Sequence, residues 1–214
     1  MEHINNATIL KTSLNLTIPD HFYIVLVTKR RKDNPDMKTD SSIVDKFYIY
    51  SEDDLTKLMP NIIKSCELHN ARAYINPNPI SARKVALETA SLINKACMDE
   101  DYSFARVAFD HACGKVSCET SLNLKKVWVI DIDFKLSDSE LRIEYFRLLR
   151  CILTVYEKYQ KSNGSIICKF LPTPNGFHIL INPLDVNKLL EVFQLPKWFI
   201  PSMIKTNPLT ILYA

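Results

Sequence analysis

Val127-Trp128-Val129-Ile130-Asp131-Ile132-Asp133-Phe134 is the stretch from which this chain is best read. Side chains alternate between the two faces of a strand. On that period Trp128, Ile130, Ile132 and Phe134 make one apolar face suited to a core, while Val129, Asp131 and Asp133 point the other way. The two carboxylates then stand side by side, with roughly 6–7 Å between their Cα atoms. Asp is depleted in strands, and two like charges this close repel. A divalent cation removes the conflict, because Mg2+ or Mn2+ takes oxygen ligands and bridges carboxylates to substrate phosphates. Paired ions of this kind stabilise both the attacking and the leaving oxygen in phosphoryl transfer.

Working outward from this stretch gives a regular alternation. Ser137 with Glu140 predicts a capping box. Leu141, Tyr145, Leu148, Leu149, Ile152, Val155, Tyr156 and Tyr159 predict a long amphipathic helix, with Gly164 at its stop. Ser165 to Leu171 reads as a strand, Pro172-Thr173-Pro174-Asn175-Gly176 as a turn ending in the Asn-Gly hairpin signal, and Phe177 to Asn182 as the returning strand. Asp185 caps a helix to about Phe193, and Leu209 to Tyr213 is a last strand. The order β-α-β-β-α-β is the ferredoxin-like split βαβ pattern shared by RRM-type modules. In such a sheet the strand after the turn lies beside the one carrying the aspartates. The turn then delivers His178 to the same site, where an imidazole can bind a phosphate oxygen or a metal, or act as acid or base. Asn175 and Lys169 are further candidates for phosphate binding.

The first half is less regular. His21 to Arg30 is a buried strand, Arg31 to Ser42 a polar loop and Lys46 to Tyr50 a short strand. Ser51, with Asp54 three residues on, opens a helix with the stripe Leu55, Leu58, Met59, Ile62, Ile63 and Cys66. Pro60 is expected to kink or divide that helix. Ala71 to Ile75 is a strand, Asn76-Pro77-Asn78-Pro79 a rigid turn, and Ser81 to Met98 a helix; Asp99 to Leu124 holds a short helix and a loop. Residues 16–124 thus form an α/β half and residues 125–214 an RRM-like half. With no linker between them, 1–214 is expected to be one composite α/β (α+β) domain. Arg72, Arg83 and Lys84 surround the Pro turn, and Arg30, Arg31 and Lys32 end the first strand; these are the candidate nucleic-acid contacts.

Composition narrows the classes. The 214 residues are 47% apolar and 24% charged, an ordinary globular balance, and the net charge of +3 permits a polyanionic partner. The three glycines, Gly114, Gly164 and Gly176, form neither GxGxxG nor GxxxxGK[ST], which disfavours a Rossmann site and a P-loop. No run approaches the roughly 18 apolar residues of a membrane span. The six scattered cysteines and the lack of a signal-peptide pattern predict a soluble protein of a reducing, cytoplasmic compartment. His111, Cys113 and Cys118 lack the fourth ligand that structural zinc usually requires, so zinc is not expected.

Two of these elements carry a family resemblance. Val129-Ile130-Asp131-Ile132-Asp133 resembles the first motif of the archaeo-eukaryotic primase superfamily, hydrophobic residues followed by DxD. Gly176-Phe177-His178 resembles the second, a small residue, any residue, then His. Their order and strand positions are similar too, over roughly the C-terminal 90 residues. The TPNGFH wording and the chain length also resemble small phage-encoded proteins, which would put the protein in the host cytoplasm. The resemblance implies a primase-like fold and a metal-dependent nucleotidyltransferase acting on a nucleic-acid template with NTP or dNTP. In that family the acidic pair holds two divalent metals and the His contacts the incoming phosphates, which implies those roles for Asp131, Asp133 and His178. A replication or host protein would be a further partner. The family's third motif, an acid after a hydrophobic residue on the last strand, is not found in Leu209 to Ala214. A non-catalytic relative that binds nucleic acid, nucleotide or a protein partner is therefore the alternative, and a metal-dependent phosphodiesterase or nuclease the third.

Overall fold

The computed structural model describes residues 3–118, 126–134, 139–159, 168–192, 195–206 and 208–214. The chain divides into two compact units, His3–Leu124 with Leu209–Ala214, and Lys125–Pro208. The boundary falls between the two halves read from the sequence, except that the C-terminal strand belongs to the first unit.

The first unit is built on β1 (His21–Arg30), in which Phe22, Tyr23, Val25 and Val27 are buried. The sheet runs β2-β1-β3-β9 and every pairing is antiparallel, with β2 at Ser41–Ile49, β3 at Arg72–Ile75 and β9 at Thr210–Tyr213. A two-residue strand, β4 (Ile80–Ser81), pairs with the first residues of β1. β2 begins earlier than the sequence implies, inside the expected loop. It is an edge strand whose first residues are exposed, so no apolar alternation marks them. A register shift between Val27 and Thr28 accommodates it.

A short helix, α1 (Ala7–Lys11), precedes β1, and α2 (Glu52–His69) packs on the sheet. Ser51 caps α2 as expected, its hydroxyl accepting from the Asp54 N–H at 3.1 Å. Pro60 does not divide α2, which runs unbroken. Pro60 is on the exposed face, where water can satisfy the carbonyl left without its helical donor. Helices α3 (Ala82–Met98), α4 (Tyr102–Ala105) and α5 (Ala108–Cys118) follow. A cluster of Phe22, Ile80, Val85, Ala112, Cys113 and Val116 joins β1 and β4 to α3 and α5.

The second unit has the element order β5 (Trp128–Ile132), α6 (Ser139–Tyr159), β6 (Cys168–Thr173), β7 (Gly176–Ile181), α7 (Val186–Val192) and β8 (Ile204–Lys205), the last preceded by a 3-10 turn at Pro201–Met203. Its four strands lie in the order β6-β7-β5-β8, all antiparallel. The expected alternation in β5 holds: Ile130 and Ile132 are fully buried, with Trp128 and Phe134 packed beside them. That apolar face meets Leu148, Ile152, Val155 and Tyr156 of α6 and Leu189 of α7. The Tyr156 hydroxyl donates to the Asn182 carbonyl just past β7, tying α6 to the sheet. Asp185 caps α7, accepting from the Lys188 N–H at 3.1 Å. The Ser137 cap and the Gly164 stop lie outside the described residues.

One expectation is corrected. The fourth strand of this sheet is β8, not the C-terminal strand. β9 is buried along its whole length against β3 in the first unit. An apolar run such as Thr210-Ile211-Leu212-Tyr213 announces a buried strand but not which sheet receives it. β8 is too short to show any period. Both sheets are antiparallel and the fold class is mixed α and β. No described helix is long and apolar enough to cross a membrane.

Candidate phosphate and metal site

Directly paired residues of an antiparallel ladder project to the same face. In the second unit Asp131 on β5 is paired with His178 on β7, and His178 with Leu171 on β6. This face is opposite the one that packs on α6 and α7. His178 Nε2 and Asp131 Oδ1 are 3.1 Å apart, with the imidazole mostly buried and the Asp131 side chain 35% exposed. Asp133 lies one residue beyond the end of β5 and is exposed. The sequence therefore brings together Asp131 and His178, with Asp133 two residues along the chain.

The hairpin that delivers His178 is tight. Thr173 pairs with Gly176, so Pro174 and Asn175 alone form the loop. Neither Asn175 nor Gly176 has positive φ, which excludes the I′ turn that Asn-Gly usually signals. Gly176 is needed for a different reason. A Cβ there would stand 2.0 Å from the Ile132 carbonyl oxygen and 2.7 Å from the Phe134 nitrogen. The start of β7 is pressed against the end of β5 at the point where the two aspartates sit. The Thr173 hydroxyl accepts from the Gly176 N–H at 3.0 Å and fixes the turn.

Lys169 is exposed and pairs with Leu180, which puts it on the His178 face, one row away. Asn175 is exposed at the hairpin tip. The sequence reading missed Lys205. On β8 it pairs with Val129, so it lies on the same face as Asp131 and one strand away. Only the existence of β8 makes it visible, and an Ile-Lys pair after a Pro gives no strand signal.

Asp131, Asp133 and His178 are the residues of this region that could hold a metal ion. Asp131 stands beside His178, and Asp133 follows just past the end of β5. Among the described residues no three His, Cys, Asp or Glu side chains gather into a metal-binding group.

The basic residues separate into two groups. Arg72 pairs with Thr28 near the Arg30 end of β1, whereas Arg83 and Lys84 start α3 beyond β4, which pairs with His21 and Phe22. About seven strand residues, or roughly 23 Å, separate the two places along β1. Arg72 therefore does not share the Pro turn with Arg83 and Lys84. Arg30, Arg31, Lys32, Pro35 and Asp40 line an open depression of about 630 Å³. Arg30 donates to the Tyr74 hydroxyl at 3.2 Å, Arg31 faces Asp40 at 3.8 Å, and Arg72 is paired with Asp33 at 2.5 Å.

His111 and Cys113 lie on α5, two residues apart and so on different sides of the helix. The His111 ring packs against Phe104, and Cys113 is buried in the cluster around Phe22. Burial pushes the Cys113 thiol up to about 11, away from the thiolate that a metal requires.

Comparison of the chain with protein-family models, with curated proteins and with solved structures finds no match.

Proposed function

We propose that this chain is a primase-like protein that binds a nucleoside triphosphate, with a divalent cation, beside Asp131, Asp133 and His178 of its second unit. The observation that carries this reading is the direct cross-strand pairing of Asp131 with His178. It joins the DxD strand to the strand that starts with Gly-Phe-His, in the order and strand positions that the primase resemblance implies. The strand order β6-β7-β5-β8, with helices after the first and third strands in sequence, is that of the ferredoxin-like split βαβ pattern, which supports an RRM-like unit.

On this reading Asp131 and Asp133 hold Mg2+ or Mn2+, which supplies charge neutralisation at the phosphates. The His178 ring, oriented by Asp131, presents a polar edge to a phosphate oxygen. Asn175 and Lys169 lie around the same hairpin. Arg30, Arg31 and Lys32 line a depression of the first unit suited to a nucleic-acid backbone, and Arg83 and Lys84 make a second cationic place, whereas Arg72 is mostly buried and held by Asp33. Nucleotidyl transfer is the second reading. It is favoured by the exposure of Asp133 beside Asp131, which leaves two carboxylates for metal. Against a two-metal polymerase, β8 brings Lys205 rather than an acid to this face.

Titration calorimetry with ATP and dATP, with and without Mg2+, tests the proposal. Binding is expected only with the metal, and weaker by about tenfold or more in Asp131→Ala and His178→Ala, as for lost charge-assisted hydrogen bonds. Wild-type protein that binds neither nucleotide would overturn it. Incubation of the same proteins with primed, unprimed and labelled nucleic acids distinguishes incorporation and cleavage from binding alone.

A further inference from the structure

β6 is an outermost strand of the second unit's sheet. Its ladder with β7 closes at Thr173 and Gly176 without a register shift, so hydrogen-bonded and non-bonded pairs alternate back from the turn. The main-chain groups of Cys168, Phe170 and Pro172 then point away from β7. A proline is tolerated in that phase, because its missing N–H breaks no bond of the ladder. Cys168, Lys169 and Phe170 are exposed at this edge. An apolar ledge runs from it onto α6. Phe170, 43% exposed, stacks on Phe177 at 4.7 Å and meets the Tyr145 ring edge-on at 6.1 Å. Tyr145 lies 5.5 Å from the ring of Phe146, which is 67% exposed, and Ile143, a turn earlier, is 61% exposed. Leu148, Ile152 and Val155 fill the core from the other side of α6. The helix is thus apolar on two sides, and one of them faces solvent.

We propose that the outer edge of β6 and the ledge beside it dock an acidic segment of another protein. The segment adds as a strand to β6 and sets apolar side chains on Phe170, Phe146 and Ile143. Phe170 pairs with Ile179 of the core, so the ledge is on the helix side of the sheet, opposite the face that carries Asp131 and His178. The proposal therefore does not depend on the nucleotide reading.

Charge selects the occupant. Arg142 and Arg150 stand one turn before and one turn after Phe146, Arg147 follows it, and Lys169 precedes Phe170; all four are exposed. Among the described residues the acid beside them is Glu144, which Arg147 holds at 2.6 Å. Glu157 is about 16 Å beyond Phe146 along the helix. Exposed apolar groups gathered in one place mark an interaction surface, and a cationic rim favours an acidic partner. The edge main chain supplies the hydrogen bonds of a strand addition and the ledge its selectivity. A second copy is a poor occupant, because two-fold pairing of β6 would bring two α6 helices with the same arginines side by side. A bilayer is a poor one too, because α6 is packed into the fold and lacks the continuous apolar face of an interfacial helix.

Selection of peptides from a random-sequence display library on the intact protein tests this, with the double variant Phe146→Glu, Arg150→Glu as the counter-target. Both positions are exposed, so the variant should keep the wild-type urea midpoint. Wild type is expected to enrich sequences that alternate apolar residues with Asp or Glu, and the variant to bind them about tenfold more weakly or worse. N-methylation of alternate amides in a selected peptide should abolish binding in one phase and spare it in the other, a response that strand addition requires. No enrichment, enrichment of basic sequences, equal binding to the variant, or the same response to both phases of N-methylation would overturn the proposal. So would self-association in sedimentation, or binding of anionic vesicles or single-stranded DNA, that the double variant abolishes.

Discussion

Gly176 is the residue on which the geometry of the site turns. It holds β7 close enough to β5 for His178 to reach Asp131, because the space a Cβ would need is filled by the backbone of Ile132 and Phe134. Gly176→Ala is therefore expected to force the strands apart, at a cost of about 1–3 kcal/mol as in overpacked interiors. Urea denaturation measures that loss, and nucleotide affinity should fall with it. An alanine variant as stable as wild type would show that the close approach is not needed. The glycine was legible in the sequence as a turn residue, next to Asn175 and before a strand. Its reason was not, because a close approach between two strands leaves no local trace. Asp131 and Asp133 were legible from alternation alone, since acids on a strand with one fully apolar face are conspicuous. His178 became legible only through the turn that places it.

At the scale of elements, strong periodicity and caps were reliable and short or edge strands were not. The stripe of α2 and its Ser51 cap, the β1 run and the β6-β7 hairpin follow from local rules. β4 and β8 have two residues each and carry no period to detect. The β9 segment was read as a strand, yet its partner is β3, whose register pairs Tyr74 with Ile211 and Ile75 with Thr210. Main-chain bonds between Ile4 and Ala214, and from the Asn6 side chain to the Ile211 carbonyl, tie the N-terminal segment to the same strand. Removing Leu209 to Ala214 is thus expected to destabilise the first unit. Loss of Ile211 and Leu212 burial alone amounts to about 3–6 kcal/mol. Limited proteolysis should show cleavage of the first unit before the second. Equal resistance of the truncated and full chains would contradict the placement of β9.

At the scale of the molecule, two chemically distinct surfaces emerge from a chain of small net charge. One is the acidic and imidazole face of the second unit, with Lys205 at its edge. The other is the arginine-rich depression of the first unit, lined by Arg30, Arg31, Lys32 and Asp40. Both classes of residue were visible in the sequence as clusters. The separation of Arg72 from Arg83 was not, because the two are close in sequence while β3 and β4 pair with different ends of β1. Phosphate alone could be attracted to either surface, whereas a divalent metal with phosphate should select the carboxylates. Mapping the paramagnetic broadening of assigned amide resonances by Mn2+ with ATP tests this most directly. The expected result is broadening confined to the ends of β5 and β7 around Asp131, Asp133 and His178. Broadening centred on Asp40 and the Arg30 depression, with the β5 and β7 resonances sharp, would contradict the account.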